Sequence, residues 1–209
     1  MSPRRYQLGK RQEQIDESRR RVLDAARALL GEATSYTAFT VDAVAKKADV
    51  ARATVYYQFG SKTGLLDAVC DDLAEAGRMS ELAAAFANPD PREALRGFVV
   101  TFGRFWAADR TVMRRLRALA ALDPDVGAVI AGRDERRREG LQVLTRRLAD
   151  AGLVPAPADE QQAVRSLLTL TSFETFDVLA GPDRPLTDVA GEVTRLAETA
   201  LSLSAAPSP

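Results

Sequence analysis

Histidine is absent from this 209-residue chain, which removes the commonest general base and the commonest metal ligand. A single cysteine, Cys70, excludes an intramolecular disulfide. There is no glycine-rich phosphate loop, no Gly-x-Ser-x-Gly elbow and no cysteine pair. The adjacent carboxylates Asp71–Asp72 and Asp159–Glu160 sit at surface-like positions. These absences argue against an enzyme, and no cofactor or metal is expected. No apolar run approaches the length of a membrane span. The N-terminus, Met1-Ser-Pro-Arg-Arg-Tyr6, lacks the apolar core of a signal peptide, so the expected location is the cytoplasm. Strand-like alternation is never sustained, and no internal repeat is visible. Net charge is lacking too, with 29 Lys/Arg against 29 Asp/Glu.

That neutrality hides an asymmetry. Residues 1–62 hold twelve Lys/Arg against seven Asp/Glu, a net +5, which leaves seventeen against twenty-two, or −5, in the remainder. A basic head on an acidic body is the distribution a phosphate-binding module needs. With 46% hydrophobic residues the chain can bury a real core in one large or two small domains.

Nearly everything reads as helix. A first helix spans roughly Gln12 to Leu30, its inner face Val22, Leu23, Ala26, Leu29 and Leu30, with Gly31 as its end. Another starts at Ser61 as N-cap and runs through Leu65, Leu66, Val69 and Leu73 toward Met79. Cys70 falls among these apolar positions, where a small buried hydrophobe is the favoured reading over a redox sensor. After Asn88-Pro-Asp-Pro91, helices are expected at about 92–107, 110–122, 124–151, 159–180 and 186–203. Residues 205–209, ending Pro-Ser-Pro, read as a disordered tail.

The most specific stretch is Thr40 to Lys62. Thr40 caps a short helix from about Val41 to Ala48, Asp42 lies in its first turn, and Val41, Val44, Ala45 and Ala48 form a narrow buried face. Asp49 and Val50 turn the chain, and aspartate tolerates a left-handed conformation better than most residues. A second short helix, about Ala51 to Phe59, carries Arg52, Thr54, Tyr56, Tyr57 and Gln58. Small residues at its start, with hydroxyls and a cation around it, suit entry into a DNA major groove. The stretch reads as a helix-turn-helix.

Thr40, Val44, Ala45, Ala48, Val50, Thr54, Val55, Tyr56, Phe59, Ser61 and Lys62, with the upstream Arg21–Leu30 helix, resemble the DNA-binding domain of the TetR family of transcriptional regulators. The resemblance covers roughly residues 18–70. Two positions depart from it: Asp49 stands where the family has a turn glycine, and Ala51 where it has a hydroxyl cap. What it implies is an all-α protein of about nine helices. A basic arm (1–17) would precede a three-helix helix-turn-helix domain (18–64) and a ligand-binding and dimerisation domain (65–204).

Within the head, Arg52 is placed to reach a guanine edge, Ala53 a thymine methyl, and Thr54 a base or phosphate. The resemblance assigns Tyr56, Tyr57 and Lys62 to the DNA backbone, with the amides at the start of the helix after Ser61, and counts Thr40 among the DNA-binding residues, while Tyr56 also suits the domain core and Phe59 suits it better. The role of Gln58 stays open. Lys46 and Lys47 fit a solvated face better than a contact. Arg4, Arg5, Lys10 and Arg11 fit either a groove-reaching arm or a soluble leader.

In the body, Phe98, Phe102, Phe105 and Trp106 crowd one helix, and Met113 and Leu116 follow on the next. Their spacing fits plain core packing and also the wall of the ligand cavity that the resemblance implies. Arg104, Arg117, Thr171, Glu174 and Thr175 are polar candidates for orienting a ligand. An aromatic-rich wall would suit a small, mostly apolar effector. The run Arg133–Glu139 reads as a solvent face laced by Asp134, Glu135 and Arg138. The last two helices offer much apolar surface, including Leu168, Phe176, Val189, Val193, Leu196 and Ala200. In the family, the last two helices of each subunit form the dimer interface. The expected function is a homodimer binding double-stranded operator DNA, most simply as a repressor released by its effector; the alternative is a regulator controlled by a protein partner.

Overall fold

The computed structural model describes residues 3–32, 39–154 and 160–202, with side chains from residue 12 onward. Among them every regular element is helical. Eleven α-helices follow one another: α1 (Pro3–Glu32), α2 (Val41–Lys47), α3 (Arg52–Phe59), α4 (Lys62–Ala76), α5 (Leu82–Ala87), α6 (Pro91–Ala107), α7 (Arg110–Ala120), α8 (Pro124–Asp150), α9 (Glu160–Leu170), α10 (Phe173–Ala180) and α11 (Ala190–Ala200). Short 3-10 turns occupy Met79–Glu81 and Leu186–Val189.

The chain forms two compact units: Met1–Asp72 with Arg114–Val129, and Leu73–Met113 with Ile130–Pro209. This differs from a linear division at residue 64, because residues 65–72 and 114–129 belong with the head.

In the first unit, α1 buries Val22, Ala26 and Leu30, α2 buries Val44 and Ala45, and α3 buries Val55 and Phe59. Cys70 is buried, as its apolar neighbours in sequence imply. The α1 helix is longer than its apolar period suggests: Pro3–Glu32 takes in both the basic leader and Gly31. A lone glycine lowers helix propensity by about 1 kcal/mol, too little to stop a helix held by its neighbours. The side chains of Arg4, Arg5, Lys10 and Arg11, and the tail at 205–209, lie outside the described residues.

The helix starts follow their caps. Asp90 Oδ1 accepts from the Arg92 amide at 2.8 Å with Pro91 in the first helical position. Asp123 Oδ1 does the same for α8, accepting from Asp125 at 3.0 Å and Val126 at 3.4 Å. Each aspartate satisfies amides the helix itself leaves unpaired.

The second unit is built around α6, whose Ala94, Leu95, Phe98, Val99, Phe102, Phe105 and Trp106 are buried. Helices α5 and α11 and the turn at Leu186–Val189 pack on it. Two expected helices are interrupted. The segment expected to run unbroken to Ala180 divides after Leu170, because Ser172 takes an extended conformation and caps α10, its Oγ accepting from Thr175 N at 3.2 Å. The last segment begins as a 3-10 turn after Pro185 before α11 starts at Ala190. The short α5 carries too little apolar period to be recognised from sequence.

Candidate nucleic-acid interface

The turn between α2 and α3 is set by two local effects. Thr40 is extended (φ −127°, ψ 156°) and its hydroxyl accepts from Ala43 N at 3.1 Å, which fixes the start of α2. Asp49 then adopts φ 52°, the left-handed conformation, and lets the chain reverse. Val50 N closes the turn onto Ala45 O at 3.0 Å. Ala51 is extended but makes no side-chain cap bond, so α3 begins without the hydroxyl that many such helices carry.

Helix α3 is pinned to α1 from behind. Arg19 Nη1 donates to Gln58 O at 3.1 Å, and its guanidinium lies 4.4 Å from the Phe59 ring centroid. Gln58 Nε2 donates to Ser18 Oγ at 3.2 Å. Gln58, whose role the sequence leaves open, is thus part of a clasp between α1 and α3. Phe59 is core. The exit from α3 is equally tight: Gly60 takes φ 74°, and a Cβ at Gly64 would fall 2.1 Å from Phe59 O. Only glycine allows α4 to approach α3 this closely.

The opposite face of α3 is open. Tyr57 is 85% exposed and Tyr56 40%. Thr40, Arg52 and Ala53 are exposed, and Thr54 and Lys62 are half-buried. Arg52 stands between two partners. Its Nη1 donates to Asp42 Oδ2 on α2 at 3.0 Å, and its Nη2 donates to Tyr56 Oη at 3.3 Å with the guanidinium over that ring. The Tyr56 hydroxyl first, and the Asp42 carboxylate second, push the Arg52 pKa further above its already high ordinary value. Tyr56 therefore supports a cation at the surface, while Val55 and Phe59 fill the core. Lys62 Nζ sits 2.6 Å from Asp123 Oδ2, and this bond holds the Asp123 carboxyl below its ordinary range. Lys47 pairs with Glu32 at 2.8 Å.

In the second unit the α6 aromatics do assemble. Phe98 and Phe102 rings lie 4.6 Å apart, Phe105 and Trp106 also 4.6 Å, and Trp106 meets Phe173 at 5.9 Å. Phe98, Phe102, Phe105, Trp106 and Met113 are buried. Of the polar candidates, Arg104 is exposed beside Glu81 and Glu174 is exposed at the start of α10. Thr175 Oγ1 is occupied with Thr169 O at 2.7 Å, and Thr171 is fully buried with its hydroxyl on Leu167 O. Leu116, buried, and Arg117 belong to the first unit.

The polar group that meets the aromatics comes from the Arg133–Glu139 run, whose charge pattern predicts a solvent face. Arg137 is 5% exposed; its guanidinium lies 5.7 Å from the Phe102 centroid and 5.5 Å from that of Trp106. Glu135 and Arg138, by contrast, form the expected surface pair. The signal was present in the period: Arg137, Leu141, Leu144 and Leu148 lie on one stripe, and the three leucines are fully buried.

The residues expected at a dimer interface separate in the same way. Phe176, Val189 and Val193 have no exposed surface and cannot touch a partner without repacking, whereas Leu196 and Ala200 are exposed and Leu168 is half-buried. Val178, absent from that set, is 79% exposed on α10. Helical spacing marks a buried face but does not say whether an intramolecular neighbour or a second chain buries it.

A capped helix, a left-handed turn and an exposed helix bearing arginine and two tyrosines define a helix-turn-helix DNA-binding regulator. Residues 22–69 match the family described as bacterial regulatory proteins, tetR family. Residues 22–69 thus carry the DNA-binding domain of the TetR family, and the regular elements among the described residues are all helical, as in TetR regulators. Among solved structures it is similar to the fatty acid degradation regulator FadR from Bacillus halodurans (TM-score 0.69, 21% identity, covering 90% of this chain and 97% of that one). It is also similar to FadR from Bacillus subtilis in complex with stearoyl-CoA (0.63, 18%, 85% and 96%). A third is the TetR-family regulator PfmR from Thermus thermophilus (0.60, 24%, 88% and 99%). No curated protein matches. Among the described residues no helix is long and apolar enough to cross a membrane.

Proposed function

We propose that this regulator is a homodimeric repressor, acting in the cytoplasm, that leaves its operator when a small, mostly apolar effector binds the second unit. The observation that carries the reading is the exposed face of α3, where Arg52, Tyr56 and Tyr57 stand clear of a packed head. Arg52 reads a guanine edge, Ala53 a thymine methyl, Thr54 a base or phosphate, and Thr40, Tyr56, Tyr57 and Lys62 grip the backbone. Two such helices must reach successive major grooves about 34–36 Å apart, which a dimer provides. Among the described residues of α10 and α11, Val178, Leu196 and Ala200 are exposed apolar side chains that a second copy would cover.

The effector reading is supported by the aromatic cluster on α6 and by the stearoyl-CoA held by the Bacillus subtilis relative. Ligand entry shifts α4 and with it the spacing of the recognition helices. The effector acts only through its different affinity for the two states.

A second reading, control by a protein partner without a small molecule, is favoured by the continuous ring contacts from Phe86 through Phe98 and Phe102 to Trp106, which fill a core.

The test is binding to the chain's own upstream intergenic DNA across a salt series, with Arg52→Ala and Tyr57→Ala alongside. Tight, salt-sensitive binding lost in both variants is expected. Binding indifferent to sequence and to both substitutions would remove the regulator reading. Thermal shifts with long-chain acyl compounds then separate the two modes of control.

A further inference from the structure

We propose that Asp42 is a specificity-determining residue: from α2 it orients the Arg52 guanidinium on α3, so that base discrimination depends on a side chain that itself touches no base. The inference rests on the DNA-reading role of Arg52 and adds to it. Asp42 lies in the first turn of α2 and Arg52 is the first residue of α3, ten positions later and across the left-handed turn at Asp49. The bond between them is 3.0 Å although both side chains remain more than half exposed, at 58% and 64%.

Two restraints act on one fork. Asp42 takes Nη1 and the Tyr56 hydroxyl takes Nη2, while the Tyr56 ring lies 5.4 Å from the guanidinium carbon. A guanidinium carries five N–H groups, so one hydrogen on each Nη and that on Nε stay available in the same plane. A free arginine can swing between base edges and neighbouring phosphates. One held from both sides presents its remaining donors in a fixed plane, which is what bidentate contact with guanine N7 and O6 requires. The carboxylate also acts by repulsion. At the reading surface it disfavours close approach of phosphates, so it weakens indiscriminate binding while it sharpens the specific contact.

These two effects predict opposite signs for one substitution. The experiment is selection from a randomised duplex library, at fixed salt, by the wild-type full chain, Asp42→Asn, Asp42→Glu and Arg52→Ala. Quantitative binding to every single-base variant of the selected site follows, and thermal unfolding of each protein is recorded. Arg52→Ala is expected to abolish preference at one position per half-site, where a bidentate pair supplies about ten- to hundredfold discrimination. Asp42→Asn is expected to lose about fivefold of that same discrimination, at that position only, while affinity for unrelated duplex rises. Asp42→Glu should restore part of it.

A change in Asp42→Asn that is uniform across all base variants would overturn the proposal, since a general charge or stability effect moves every site alike. Retention of the wild-type pattern by Asp42→Asn would overturn it as well. Unchanged selection by Arg52→Ala would remove the arginine's reading role and the proposal with it. Failure of the wild-type chain to select any site would instead overturn the sequence-specific function on which both rest.

Discussion

Lys62 Nζ lies 2.6 Å from Asp123 Oδ2, joining the start of α4 to the cap of α8 across 61 residues of sequence. Both belong to the first unit. The lysine proposed to grip a DNA phosphate is therefore already held by a carboxylate, and it must loosen that bond or share its remaining hydrogens to reach DNA. Asp123→Asn keeps an acceptor for the α8 amides but removes the charge. Its DNA affinity should rise by about threefold, with a steeper dependence on salt as one more cation meets a phosphate. Asp123→Ala removes the cap as well and should lower stability by about 1 kcal/mol in urea unfolding.

The same pair gives a pH dependence whose sign is fixed. Chiefly because Lys62 donates to it, the Asp123 carboxyl is held below its ordinary 3.8 in the folded state. Its contribution to stability is then fully present above the unfolded value and disappears as pH falls through the lower folded one. The difference in unfolding midpoint between wild type and Asp123→Asn should hold at neutral pH and shrink below about pH 3.8. A difference that grows on acidification would contradict this.

Asp49 sits at φ 52° in the turn of the helix-turn-helix. Asp49→Gly and Asp49→Ala remove the same carboxylate, so their comparison isolates backbone strain. Alanine should be less stable than glycine by about 1 kcal/mol, read from thermal or urea unfolding. Equal stabilities would mean that the turn adapts.

Arg137 and Trp106 donate to one acceptor, the Thr171 carbonyl at the break between α9 and α10, at 2.7 and 3.1 Å. Arg137 Nη2 also lies 3.2 Å from Asp134. Arg137→Ala should destabilise the fold by about 3 kcal/mol, because it strips a buried network and leaves space beside two aromatic rings. Arg137→Met should do much less, since an apolar chain of similar length can fill the site. Unfolding followed by tryptophan emission checks both, as Trp106 is the chain's only tryptophan.

The DNA-reading head was legible because its determinants are local. Thr40 caps where a threonine precedes an apolar period, Asp49 turns where few other residues can, and Val44, Ala45, Val55 and Phe59 are buried where the spacing puts them. The body was legible as helices but not as contacts. Arg137 looked like one more charge in a polar run, yet it shares a stripe with three buried leucines. Phe176, Val189 and Val193 looked like surface for a partner and are consumed by their own unit. The break at Ser172 needed a cap geometry that a polar residue inside an apolar period does not announce.

By itself, then, the amino-acid order determined the all-helical class, the capped helix-turn-helix and the cation at the start of its second helix, since propensity, capping and turn chemistry act within a few residues. Tertiary structure alone decided that Asp42 grips Arg52 and that Lys62 meets Asp123. It also decided that an arginine of the acidic body lies among aromatic rings. Those pairings join residues 10, 61, 35 and 31 positions apart. No periodicity specifies such encounters, because they exist only once packing has fixed where each helix lies.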